Sequence, residues 1–189
     1  MSTEGKIIVI VAPSGTGKST LLEKLMRELP QLEWSVSSTT RAKREGEVHG
    51  KNYHFISKDE FEDLRENDEF VEWAQVHSNF YGTQKQFVDE GLKAGKKLLF
   101  DLDVQGCDSV KEIYGAKAKV IFIEPPSVEE LERRLMQRAT DPGDVIQERL
   151  TNAKNELKRK DDFDYKVVND DFDKAYTHLK SVVLEVLGK

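Results

Sequence analysis

Near the N-terminus a lysine and several hydroxyls stand among closely spaced glycines: Pro13-Ser14-Gly15-Thr16-Gly17-Lys18-Ser19-Thr20. Such a loop presents backbone N–H groups to a polyanion. Lys18 adds a full charge, and the Ser19 hydroxyl suits a Mg²⁺ ion. The glycines let the backbone approach phosphate without a Cβ in the way. Farther on, Asp101 and Asp103 close an apolar run. Residues two apart on a strand face the same way, and such carboxylates need a cation or a donor. One of them is expected to help hold Mg²⁺, although Asp103 could equally cap a following helix. Arginines gather in two groups: Arg41 with Arg44, and Arg133, Arg134, Arg138 and Arg149 around Asp141. Their planar forks suit transferring phosphoryl groups.

The elements that must position these groups are legible. Lys6–Val11 is apolar and β-branched, and Leu21, Leu22, Leu25, Met26 and Leu29 recur at helical spacing. Strand, tight loop and helix is the context a phosphate loop requires. The match departs from the usual pattern at Ala12, where the first glycine belongs. The alternative is a plain buried strand and a helix capped by Ser14 or Thr16. The dinucleotide fingerprint is absent because Thr20 stands where its third glycine belongs.

Trp34–Arg41 alternates like one strand, and Ala42–Gly50 reads as a charged loop. Tyr53–Ser57 reads as a short strand, and Ser57 with Glu60 as a capping box for a helix to about Arg65. Glu69–Val76 alternates as a half-buried strand, with Asn79–Thr83 as its hairpin partner. Residues 35–84 thus form a small, mostly β insertion. Helix–strand alternation then resumes: a helix over 85–93, a strand over 97–103, a helix from Val104 and a strand over 119–123. Ser127 with Glu130 opens another helix. A long helix follows over about 143–160, then a strand over 164–169 and a last helix over 171–187. The expectation is an α/β fold with a parallel sheet, ligands gathering at the strand carboxyl ends.

The chain has 189 residues and a formal net charge of −6. That balance opposes general affinity for nucleic acid or anionic membranes. Cys107, the sole cysteine, fits a reducing, cytoplasmic location and a buried packing role. No signal peptide or membrane span is read, and the scattered histidines suit packing or surface positions. The oligomeric state is open between monomer and homodimer.

Taken in order, further segments carry a resemblance: Ser35-Val36-Ser37-Ser38-Thr39-Thr40-Arg41 with Arg44, Gly46-Glu47-Val48-His49-Gly50 with Tyr53, Glu69–Ala74, Tyr81-Gly82-Thr83, Asp101–Gly106, Arg134-Leu135 with Arg138, and Val168–Asp171. With the glycine-rich loop they make the chain similar to the guanylate kinases from residue 7 to about 187. The resemblance implies ATP + GMP giving ADP + GDP with Mg²⁺. Pro13 to Thr20, Lys18 above all, would hold the ATP phosphates, with Asn169 near the adenine. Arg41, Arg44, Tyr53 and Tyr81 would grip the GMP phosphate. Ser37, Glu72, Thr83 and Asp103 would read the guanine edge. A carboxylate such as Glu72 can accept both guanine N–H donors as a fork, though an alternating strand glutamate usually faces solvent. Asp101 would serve the acceptor site and, with Ser19, the Mg²⁺, partly through water. Arg138 and Arg149 would reach the transferring phosphoryl, making Lys18, Arg41, Arg138 and Arg149 the catalytic set. One domain is implied: a core (1–34, 85–126, 161–189), a GMP-binding subdomain (35–84) and a lid (127–160). Ala12, Ala139 and Lys43 depart from the family's usual Gly, Gly and Pro. Rival readings are a non-catalytic scaffold module, a kinase for another nucleoside monophosphate, and a plain P-loop ATPase.

Overall fold

The computed structural model describes residues 4–137 and 143–189. Its first sheet is parallel, with strands β1 (Lys6–Val11), β2 (Leu32–Trp34), β7 (Lys97–Leu102), β8 (Ala118–Glu124) and β9 (Tyr165–Val168) in the order β2-β7-β1-β8-β9. Apolar runs such as Ile7–Val11 and Val120–Ile123 suit strands covered on both faces, and every residue of those two runs is buried. Helices α1 (Lys18–Glu28) and α7 (Phe172–Leu187) cover one face, packing Leu21, Leu25, Leu179 and Val183 against Ile8, Ile10 and Ile121. On the other face α4 (Val104–Tyr114) and α3 (Lys85–Lys93) pack Cys107, Val110 and Val88 against Val9, Phe100 and Val120.

The second sheet holds β3 (Ser38–Thr39), β4 (His54–Phe55), β5 (Phe70–Val76) and β6 (Asn79–Gln84) in the order β4-β3-β6-β5. Helix α2 (Lys58–Glu66) puts Phe61 against Phe70 and Phe80. Ser57 caps it by accepting from the Glu60 N–H at 3.0 Å. Helices α5 (Val128–Gln137) and α6 (Gly143–Leu157) form their own apolar cluster, Leu131 and Leu135 against Leu150 and Ala153.

Three local expectations change. Trp34–Arg41 is not one strand: its start lies in the first sheet and Ser38–Thr39 in the second. The alternation is the same in both, so the pattern cannot reveal a change of partner. In β5 both Phe70 and Val71 are buried, because a bulge between Phe70 and Glu72 interrupts the pleat. The long helix ends at Leu157, and a short 3₁₀ turn, Lys160–Asp162, leads into β9.

Candidate active site

The glycine-rich loop leaves β1, the central strand, at its carboxyl end. Its left-handed positions fall on Gly15 (φ 91°) and Gly17 (φ 87°). Ala12 has an ordinary negative φ, so the missing glycine costs no strain there. Thr16 is wholly buried and closes the loop, donating its hydroxyl to the Pro13 carbonyl at 2.8 Å. The alternative of a helix capped by Ser14 or Thr16 fails: the N-cap is Gly17, with no side-chain cap. The first-turn amides of Lys18, Ser19 and Thr20 are left without a side-chain acceptor, the arrangement that receives an anion.

The far end of the chain supports this loop. Asn169, just after β9, donates its side-chain amide to the Thr16 carbonyl at 2.6 Å. Its own carbonyl accepts from Arg134 Nη1 at 3.1 Å, and its N–H bonds the Glu124 carbonyl at 2.8 Å. A Cβ on Gly17 would lie 2.7 Å from the Asn169 amide nitrogen. Asn169 is therefore buried beside the loop as a clamp on its backbone.

Lys18 forms an ion pair with Asp101 on β7. Register places Asp101 beside Ile10, one residue before the end of β1. Asp103 lies one residue beyond β7, in extended backbone, two residues after Asp101. It caps α4, accepting from the Gly106 N–H at 2.8 Å.

On the second sheet, Thr83 is buried and donates its hydroxyl to Glu72 Oε1 at 2.6 Å. Glu72 is not a solvent-facing strand glutamate. Burial, with the Asp103 carboxylate added, raises its pKa, against the pull of the Thr83 hydroxyl. A cleft lined by Glu72, Trp73, Asp103 and Gln105 joins the two sheets there. Ser37 is half-buried, and its carbonyl accepts from the His54 N–H at 2.9 Å. Beside the same sheet, the Arg41 guanidinium lies 5.5 Å from the Tyr53 ring. The Tyr53 and Tyr81 rings meet edge to face at 5.9 Å. Arg44 follows in the same loop.

Arg133 and Arg134 both bond Glu130, whose carboxyl is drawn down to about 2 by them. That carboxylate serves the arginines, while the Glu130 N–H bonds Ser127 at 3.1 Å. Arg149 is half-buried on α6. Arg138 and Ala139 lie outside the described residues.

Two carboxylates escaped the sequence reading. Glu47 ion-pairs with Arg41 at 2.7 Å. Glu156 on α6 has a raised pKa, from burial first and then from Asp103, with Lys18 opposing. Spacing hinted at the first, since Arg41, Arg44 and Glu47 recur every three residues; nothing local marked the second. Of the histidines, expected at packing or surface positions, His54 stacks on Phe87 at 3.9 Å between centroids, and His49, His77 and His178 are exposed. Cys107 is buried, its thiol pushed up to about 11 mainly by that burial. Among the described residues no group of three or more His, Cys, Asp or Glu could hold a metal, and no helix is long and apolar enough to cross a membrane.

A parallel sheet ending in a glycine-rich loop, with a lysine on the neighbouring strand's carboxylate, defines the class of P-loop α/β proteins. A family model described as Guanylate kinase matches residues 4–186. The guanylate kinase of Geobacter sulfurreducens is 46% identical over 184 residues, covering 97% of this chain and 90% of its own length. That of Agrobacterium fabrum is 42% identical, covering 97% and 83%. The crystal structure of guanylate kinase from Anaplasma phagocytophilum superposes with a TM-score of 0.70 at 33% identity, covering 99% of this chain and 88% of that one. The chain belongs to the guanylate kinase family.

Proposed function

We propose that the chain transfers the γ-phosphoryl group of ATP to GMP, giving ADP and GDP, through the residues assembled above. Family membership supports the reaction. The observation that carries the assignment of residues is that Asp103, two residues beyond the Asp101 that pairs with Lys18, lines one cleft with Glu72. The anion-ready loop with Lys18 stands at the end of the first sheet, and Glu72 on the second sheet lies within electrostatic reach of Asp103.

In this reading Pro13–Thr20 hold the ATP phosphates, with Lys18 among them. Lys18 exchanges Asp101 for phosphate when nucleotide arrives. Asn169 keeps the loop in shape beside the adenine. Arg41, Arg44, Tyr53 and Tyr81 receive the GMP phosphate. Glu72 accepts the guanine N1–H and N2–H, with Ser37, Thr83 and Asp103 around the ring and Asp101 between acceptor and donor. Arg138 and Arg149 belong to a lid over 127–160 that closes on the core, and 35–84 form the acceptor-binding subdomain. No general base is needed, because the acceptor is already a phosphate oxygen. Positioning and charge neutralisation carry the rate.

The donor set suits Mg²⁺, a hard cation that keeps several waters and takes one or two protein oxygens. The Ser19 hydroxyl and the Asp101 carboxylate are both exposed at the loop. When bound, the ion neutralises charge on the ATP phosphates. A cytoplasmic location completes the proposal, supported by the single buried thiol.

A coupled assay of ADP release with ATP, Mg²⁺ and either GMP, AMP, CMP or UMP tests this. Turnover stimulated by GMP alone is expected. No GMP-stimulated turnover overturns the enzyme reading; equal turnover with AMP overturns the guanine assignment.

A further inference from the structure

Glu47 bonds both arginines of the group assigned above to the acceptor's phosphate, and an anion there needs a reason. Its Oε1 accepts from Arg41 Nη2 at 2.7 Å and its Oε2 from Arg41 Nη1 at 3.1 Å. The same Oε2 accepts from the Arg44 backbone N–H at 2.7 Å, and the Glu47 N–H returns a bond to the Arg44 carbonyl at 3.2 Å. Arg41 Nη1 donates again to the Ala42 carbonyl at 2.8 Å. Both side chains are largely covered, at 14% and 18% exposure. The Arg41 guanidinium holds Glu47 below the usual carboxylate range, the Arg44 N–H helping, so the group is charged at neutral pH.

Two roles are open to such a carboxylate. It could stand where phosphate goes and have to leave, which would weaken binding. Or it could orient the arginines and stay. The geometry distinguishes them. A guanidinium has five N–H donors in a rigid fork. Glu47 takes the end formed by Nη1 and Nη2, and Ala42 takes the remaining Nη1 hydrogen. The edge formed by Nε and the second Nη2 hydrogen is used by neither and is itself a bidentate edge for a phosphate; the other side chain that bonds this guanidinium, Tyr81, is one assigned above to the same phosphate. The bond to the Arg44 N–H ties the loop that carries both arginines to the same carboxylate.

We propose that Glu47 is a positioning residue for the acceptor's phosphate: it fixes Arg41 by one edge so that the other edge, with Arg44, meets that phosphate. The inference rests on the reading of Arg41 as a phosphate ligand. Glu47→Gln keeps shape but loses the charge-assisted pair. It is expected to raise KM for GMP about 10-fold or more, the scale of one charged hydrogen bond, with kcat changed far less. KM for ATP should hold. The inhibition constant of guanosine, which has the base but no phosphate, should also hold, a pattern that general damage to the fold would not produce. Glu47→Asp should recover part of the loss. Tighter GMP binding in Glu47→Gln would overturn the inference in favour of a carboxylate that competes with phosphate, and parallel loss of guanosine and GMP would reduce Glu47 to a structural role. Arg41→Gln separates the two layers. If it leaves KM for GMP unchanged, the phosphate-site reading itself fails. If it raises KM while Glu47→Gln is silent, only the positioning role fails.

Discussion

Replacing Glu72 by glutamine removes one charge at one buried oxygen pair and little else. Thr83 can still donate to the remaining carbonyl oxygen, as it does to Oε1 at 2.6 Å. The amide then turns its NH₂ toward guanine, where two donors meet. The loss is one charge-assisted hydrogen bond, about 1.5–3 kcal/mol, plus an unpaired buried donor, about 1–3 kcal/mol. Together these place kcat/KM for GMP about 10²–10³-fold lower, in the lower part of that range of sums. The assay is coupled ADP release at saturating ATP, with GMP varied, and the same series with IMP, which lacks the N2 amino group. The variant should narrow the preference for GMP over IMP, while KM for ATP stays put. pH gives an independent readout. Burial, with Asp103, raises the Glu72 pKa in the ligand-free protein, so the ionised acceptor is lost as pH falls through a value above the usual carboxylate range. KM for GMP should therefore climb on mild acidification in the wild type and much less in Glu72→Gln. The sign for stability is opposite. A carboxylate whose folded pKa is raised costs stability once pH exceeds its unfolded pKa, so the variant should melt no lower than the wild type at pH 7. A change in kcat/KM under fivefold, or a loss of activity matched by a fall in melting temperature, would refute the reasoning.

Lys18→Ala should cut turnover at least about 10³-fold while circular dichroism stays native, since the charge stabilises transferring phosphate rather than the core; near-normal activity would mean the loop is misread. Gly17→Ala forces a side chain into φ 87° with its Cβ 2.7 Å from the Asn169 amide, and should cost about 1–3 kcal/mol by denaturant titration along with ATP affinity. Ala12→Gly should leave both nearly unchanged, because Ala12 sits at a negative φ. Cys107, buried with its thiol pushed up to about 11, should resist alkylation at pH 8 in the native protein and react only on unfolding.

Much of this was legible because it is local. The glycine-rich loop, the Ser57 and Ser127 caps and the long helix α6 follow from spacing within a turn or two. What was hidden depends on partners distant in sequence. Nothing near Ser35 tells that the chain leaves one sheet for another. Nothing near Phe70 announces the bulge that buries Val71 beside it. At the end of β7 the sequence left two roles for Asp103, and its carboxylate takes the cap on α4. Of the candidate site, Lys18, Glu72 and Arg41 stand out by type and place. The carboxylates beside them, Glu47 on Arg41 and Glu156 near Lys18, look in isolation like ordinary surface glutamates.

The Asn169 clamp has a consequence for how the protein comes into being. The Thr16 carbonyl and the amide that holds it are 153 residues apart. The loop emerges early from the ribosome, yet its shape is completed only when the last strand docks beside β8. A nascent chain has the right residues for phosphate long before it has the right loop. Nucleotide affinity is thus conferred late, by the finished sheet, and a chain shortened before residue 169 should carry an intact motif that holds nucleotide poorly.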